Sequence, residues 1–158
     1  MIRVKRVFDH PEPEDGYRLY VNRTWPKEIK RNALDGWMRK VAPSDLLSHW
    51  FSDDPSKWNE FVRLYTEELK NKMSALDKLE VLEMEQKTIT LLHSSRSNEY
   101  NSAVVLKEVM EHLDEFREMV RREELKKLGI ASDVERISKE MEDYGGFEGD
   151  RMDSGDEK

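Results

Sequence analysis

Ile2, Val4 and then Val7 alternate with Arg3 and Lys5 at the start of the chain. Residues two apart share one face of a strand, so "IRVKRVF" predicts a half-buried strand. "HPEPEDG", residues 10 to 16, holds two prolines and an Asp-Gly pair and predicts a loop. "YRLYVN", residues 17 to 22, is β-rich again, and Pro26 ends it. Helical spacing then takes over from residue 28 to 85. Ser44 behind Pro43 predicts a cap for "DLLSHWF", Asp54 before Pro55 opens a second helix, and Ser74 opens a third. Trp58, Phe61, Val62, Tyr65 and Leu69 predict a core-facing stripe on the second, as do Leu76, Leu79 and Leu82 on the third. "KTITLLH", residues 87 to 93, is too brief for a helix and predicts another strand. Beyond it a helix starting near Asn98 carries Ala103, Leu106, Met110, Leu113, Phe116 and Val120 on one face.

Two strands, a helical stretch and a strand feeding a helix predict an α/β fold. The expected form is a small, mostly parallel sheet flanked by helices, with a C-terminal helical extension. The expected boundaries are an α/β domain over residues 1–114, a helical extension over 115–144 and a disordered acidic tail over 145–158. "SDVE", residues 132 to 135, is a capping box within the extension. Around it Ile130, Val134, Ile137, Met141 and Tyr144 recur every three or four residues. That stripe needs a cover, either the long helix before it or a second copy, which makes a homodimer through the C-terminal helices one expectation.

Of the 158 residues, 37% are hydrophobic and 39% charged, against about 25% charged in an average domain. The apolar residues must therefore be concentrated on element faces around one core. A net charge of -7 argues against general affinity for nucleic-acid phosphates, although it leaves room for a local basic cleft. The chain has no cysteine, which removes disulfides, thiolate nucleophiles and zinc-cysteine sites and leans the expectation toward a cytoplasmic protein. No apolar run suits a secretory signal or a membrane span. His10, His49, His93 and His112 lack metal-ligand spacing, so neither a metal nor a cofactor is expected.

Candidate chemistry gathers where two strands end. "LLHSSRSNEY" places His93, Ser94, Ser95, Arg96 and, just beyond, Asn101 between a strand and a helix. Free N–H groups and a positive helix end there favour an anion, and Arg96 adds a fork of donors. "NRTWPK" adds Asn22, Arg23, Trp25 and Lys27 at the end of the second strand. If the sheet is parallel, the two loops share an edge and frame a cleft for a small anionic or nucleotide-like ligand. The plainer alternative is that Ser97 or Asn98 caps the helix, Arg96 is a surface charge and Trp25 covers the core.

"KRVFDHPEPEDGYRLYVNRTWPK", "APSDLLSHWFSDDPSKWNEFVRLYTEEL" and "TITLLHSSRSNEYNSAVVLKE" follow, in order and spacing, a known pattern. Over about residues 3 to 113 the chain resembles the YeaO-like family, a branch of the domain of unknown function 488. Arg6, Asp9, Gly16, Arg18, Arg23, Trp25, Pro26, Pro43, Ser44, Trp50, Phe51, Pro55, Trp58, Arg96, Asn101 and Ala103 match the family's pattern. The resemblance implies a compact α/β domain with polar positions at strand ends and no established reaction. Five positions depart from the pattern. Asn22 stands for an aspartate, Lys27-Glu28 for arginine-glycine, His93 for a tyrosine and Ser97 for an aspartate. The change at Asn22 removes a carboxylate that could act as acid or base. Ligand binding at the strand ends is therefore set beside a second reading, a non-enzymatic interaction or regulatory module working through its C-terminal helices.

Overall fold

The computed structural model describes residues 1–129 and 131–145. Four strands, β1 (Ile2–Arg6), β2 (Tyr17–Tyr20), β3 (Gly36–Trp37) and β4 (Ile89–His93), form one sheet in the order β1-β4-β2-β3. Every pairing is parallel. The fold is α/β, as the residue pattern predicts, with the two-residue β3 as the element the pattern does not reveal. Too short to show any period, β3 forms because Leu19 and Tyr20 of β2 offer it a partner.

The central strand explains its own sequence. β4 is flanked on both sides and buried along its whole length, so "ITLLH" reads as a continuous apolar run rather than an alternation. Tyr20 and Leu92 lie opposite each other and, with Val7, face Trp25, Ile29, Leu34 and Trp37 of the β2–β3 connection. Leu19, Ile89 and Leu91 point to the other side of the sheet and are fully enclosed. Helices α3 (Met73–Gln86) and α4 (Ser102–Glu111) pack on β4, and α4 also packs on β1.

The helical caps follow local chemistry. Ser44 Oγ accepts the Leu47 N–H at 3.2 Å and opens α1 (Asp45–Phe51). Asp54 accepts the Ser56 N–H at 3.0 Å, opening a short 3-10 turn that leads into α2 (Trp58–Lys70). Phe61, Tyr65 and Leu69 of the α2 stripe are buried, and Tyr65 donates its hydroxyl to the Val41 carbonyl. Two expected starts are corrected. Ser74 lies inside α3, whose N-cap is Lys72 with no side-chain bond. Asn101, not Ser97 or Asn98, caps α4, its Oδ1 accepting the Val104 N–H at 3.1 Å. Ser97 instead closes a separate turn by accepting the N–H groups of Glu99 and Tyr100. Two polar residues in one loop can both offer a cap, and burial of Asn101 decides between them.

Gly16 turns the chain into β2 with φ +61, and a Cβ there would stand 2.4 Å from the Thr88 carbonyl oxygen. Only glycine permits that approach.

The chain divides into two units, Met1–Asp114 and Glu115–Lys158. The helix expected as one piece is broken at His112 into α4 and α5 (Leu113–Lys127). In the second unit, α5 and α6 (Ala131–Asp143) border a groove of about 160 Å³ lined by Arg121, Arg122, Leu125 and Val134 among others. Val134, Ile137, Met141 and Tyr144 of the α6 stripe are 37%, 48%, 48% and 90% exposed, so nothing in the described residues covers most of that face. Ile130 and the expected tail beyond Gly145 lie outside the described residues.

Candidate functional site

Parallel pairing brings the carboxyl ends of β1, β2 and β4 to one edge of the sheet. The β2 and β4 loops meet there directly. Asn22 Oδ1 accepts the Ser94 N–H at 3.1 Å, and Asn22 Nδ2 donates to Ser102 Oγ at 3.4 Å. Asn22 thus ties the end of β2 to the end of β4 and to the first turn of α4. An aspartate could accept the first bond but has no hydrogen to offer for the second.

Beside these contacts lies a cleft of about 200 Å³. Its polar wall includes Asn22, His93, Ser94, Ser95, Asn101 and Asp53, and Phe51 and Phe61 give it an apolar side. Of the nine residues expected at the site, Asn22, His93, Ser94, Ser95 and Asn101 line this cleft. The other four lie outside this lining. Arg23 Nε donates to the Pro43 carbonyl and pairs with Asp45, both at 3.3 Å. Trp25 meets Tyr20 and Trp37 edge-to-face and donates Nε1 to the Ile29 carbonyl at 2.7 Å. Lys27 and Arg96 are exposed to solvent away from the lining. Long flexible cations follow the nearest water or carbonyl, and their place in a loop does not aim them.

His93 is 1% exposed. Its Nδ1 accepts the Ser95 N–H at 3.2 Å, so in the neutral ring Nε2 carries the hydrogen, and among the described residues Nε2 has no hydrogen-bond partner. Burial lowers its pKa to about 4, and the nearby Arg6 guanidinium adds to the shift against the opposing carboxylates of Asp9 and Asp53. At neutral pH the imidazole is therefore uncharged. Arg6 itself is held by its Nε donating to the Ser95 carbonyl at 2.9 Å.

Part of the lining comes from a stretch whose role the residue pattern does not disclose. Ser52 and Asp53, at the end of α1, have φ of 45° and 56°. Two successive side-chain-bearing residues in the left-handed region store strain of order 1–3 kcal/mol each, a cost found where the surrounding structure over-determines a functional position. Ser95 Oγ donates to Asp53 Oδ1 at 3.0 Å and fixes that wall to the β4 loop. The polar "SDD" between two helices is the signal that could have marked it. Among the described residues no group of three or more histidines and carboxylates is placed to hold a metal ion.

A four-stranded parallel sheet with helices and a polar cleft at its carboxyl edge defines a small α/β domain of the open-sheet type. The chain belongs to the family DUF488-N3i, described as the inactive DUF488-N3 subclade, whose match spans residues 1–130. It is similar to "Uncharacterized protein YeaO" of Escherichia coli (strain K12), 36% identical over 107 residues, which are 66% of this chain and 92% of that protein. "Uncharacterized protein Mb3100c" of Mycobacterium bovis is 39% identical over 70 residues, 43% of this chain and 59% of its own. No solved structure matches. Among the described residues no helix is long and apolar enough to cross a membrane.

Proposed function

We propose that the carboxyl-edge cleft binds a compact polar small molecule without carrying out chemistry on it. The observation that carries this reading is the cleft itself, bounded by the strained Ser52-Asp53 pair and the buried His93. Its volume is below the roughly 300–1,000 Å³ of sites for drug-sized ligands, so the molecule is small or inserts only one moiety of a larger one. Its charge also differs from the anion suggested by the residue types. Among the described residues no arginine or lysine lines the cleft, Asp53 does, and His93 is neutral. Like charge in a partly desolvated site costs more than in water. An uncharged ligand of the nucleoside or polyol kind, with oxygen and amide groups for the serines and asparagines, fits better than its phosphorylated form. Two features support binding without turnover. The family is described as inactive, and Asn22 stands where the related pattern has a carboxylate.

Thermal shift against nucleosides, polyols and their phosphates tests both halves of this reading. A ligand at 100 times its Kd stabilises by about 2.7 kcal/mol, and an uncharged compound is expected to raise the melting temperature more than its phosphate. A larger shift with the phosphate would reinstate the anion, and no shift with any compound would remove the ligand reading.

The exposed α6 stripe favours a second reading, an interaction module closed by another copy of the chain. Burying an aliphatic or aromatic side chain contributes about 1.5–3 kcal/mol, and four such residues stand on one face. Truncation after residue 128 is then expected to make the loss of melting temperature depend on protein concentration. A loss that is the same at every concentration, or no loss, sinks the dimer.

A further inference from the structure

The chain is acidic as a whole, yet its charge is unevenly placed. Between residues 23 and 40 stand Arg23, Lys27, Lys30, Arg31, Arg39 and Lys40 against only Glu28 and Asp35. The segment forms the β2–β3 connection, the edge strand β3 and the turn after it. Its two carboxylates leave the segment a net charge of +4, six cations less two anions. The Asp35 carboxylate faces β2, where it accepts the Arg18 N–H at 2.8 Å. Among the described residues no carboxylate pairs with Lys27, Lys30, Arg31, Arg39 or Lys40, and Arg23 alone is taken by Asp45.

Two of these cations are held in place. The Arg31 guanidinium lies 4.7 Å from the ring centres of both Trp25 and Trp37, and that of Arg39 lies 5.1 Å from Trp37. The indoles are themselves anchored, Trp25 by Ile29 and Trp37 Nε1 by the Asn22 carbonyl at 2.8 Å. A stacked guanidinium keeps its donor fork and loses less entropy when it meets an anion. The surface has no apolar anchor to offer. Trp25, Ile29, Leu34 and Trp37 pack inward on Val7, Tyr20 and Leu92, and none of the exposed large hydrophobic residues lies between 23 and 40. Protein–protein interfaces concentrate their affinity in a few buried aromatic and arginine anchors, and here the indoles are turned inward, whereas a polyphosphate is held by cations that displace its condensed counterions.

We propose that this edge of the sheet is a docking surface for the phosphate backbone of a nucleic acid, independent of the cleft at the strand ends. Because the rest of the chain is negative, the contact is local, weak at physiological salt and without base readout. The test uses the full chain and a labelled single strand of twenty thymidines, with binding followed by anisotropy from 25 to 200 mM salt. About four phosphate contacts give a slope of log K on log salt near -3, from roughly -0.7 per contact on a single strand. The variant K30E/R39E/K40E, altered at exposed positions whose side chains make no described hydrogen bond or ion pair, is expected to keep its far-UV spectrum and lose binding at least tenfold. As a second probe, polyglutamate of matched length is expected to compete at least tenfold less well than the oligonucleotide. A slope near zero, binding unchanged in a folded variant, or polyglutamate competing equally would overturn the proposal, the last in favour of an acidic protein partner.

Discussion

Asp15→Asn is expected to cost about 3–5 kcal/mol of stability, the range for removing one partner of a buried ion cluster. Asp15 is fully enclosed. Its carboxylate accepts from Lys5 Nζ at 3.1 and 3.2 Å, from the Glu12 N–H at 3.1 Å and from Arg18 Nη1, with Arg3 at 3.9 Å. Burial pushes the carboxyl pKa up, but the Glu12 N–H and the two cations outweigh it and hold the pKa below its ordinary value. Asp15 is therefore ionised at neutral pH. An asparagine would turn an amide N–H toward Lys5 or Arg18, leaving buried positive charge uncompensated. Arg18 has no slack for this, being 7% exposed with its Nε already without a partner. The residue also anchors the loop before β2, since its carbonyl accepts the Thr90 hydroxyl at 2.6 Å. Urea unfolding of the variant measures the cost, and a loss below about 1 kcal/mol would show that the cluster is not a buried ion network.

The second large effect is expected in the pH dependence of stability. His93 titrates near 6.5 when unfolded and at about 4 in the fold. Between those values the unfolded chain binds the proton and the folded one does not. Stability contributed by the neutral buried ring is therefore complete above pH 6.5 and is lost as pH falls toward 4, by about 3 kcal/mol at the lower end. Asp15, with its lowered pKa, works in the same direction, so the wild-type curve alone does not isolate the histidine. The comparison with His93→Gln does, because the Asp15 contribution is common to both chains. Urea midpoints from pH 7 to 4 are expected to fall more steeply in the wild type by that amount. Parallel curves would show that protonation of His93 is not what acid acts on.

These two groups mark how far the chain could be read without coordinates. Asp15 is legible only as the first half of an Asp-Gly turn, because Lys5 and Arg18 reach it only after β1 and β2 have both paired with β4. The registers of Arg3 and Arg18 both fall on Thr90, and that coincidence depends on strand pairing. His93 is legible as a candidate at a strand end. Its neutrality follows from enclosure between Arg6, the β4 loop and the end of α1, elements separated by tens of residues.

What the sequence by itself determined is the local order: the strand alternation from Ile2, the apolar run of β4, the Ser44 and Asp54 caps and the α2 core stripe. Each arises from interactions within a few residues, where period and hydrogen-bonding side chains suffice. It also placed Asn22, His93, Ser94, Ser95 and Asn101 at one edge, because parallel strands carry their following loops to the same side. Tertiary structure decided the rest. It put Ser52 and Asp53 beside the β4 loop, where Asp53 meets Ser95, and sent Arg23 to Asp45 and Pro43. It also set Trp25 under Arg31, and chose Asn101 over Ser97 as the α4 cap. Those outcomes turn on which distant group fills the space beside a side chain, and desolvation and shape set that only once the elements have packed.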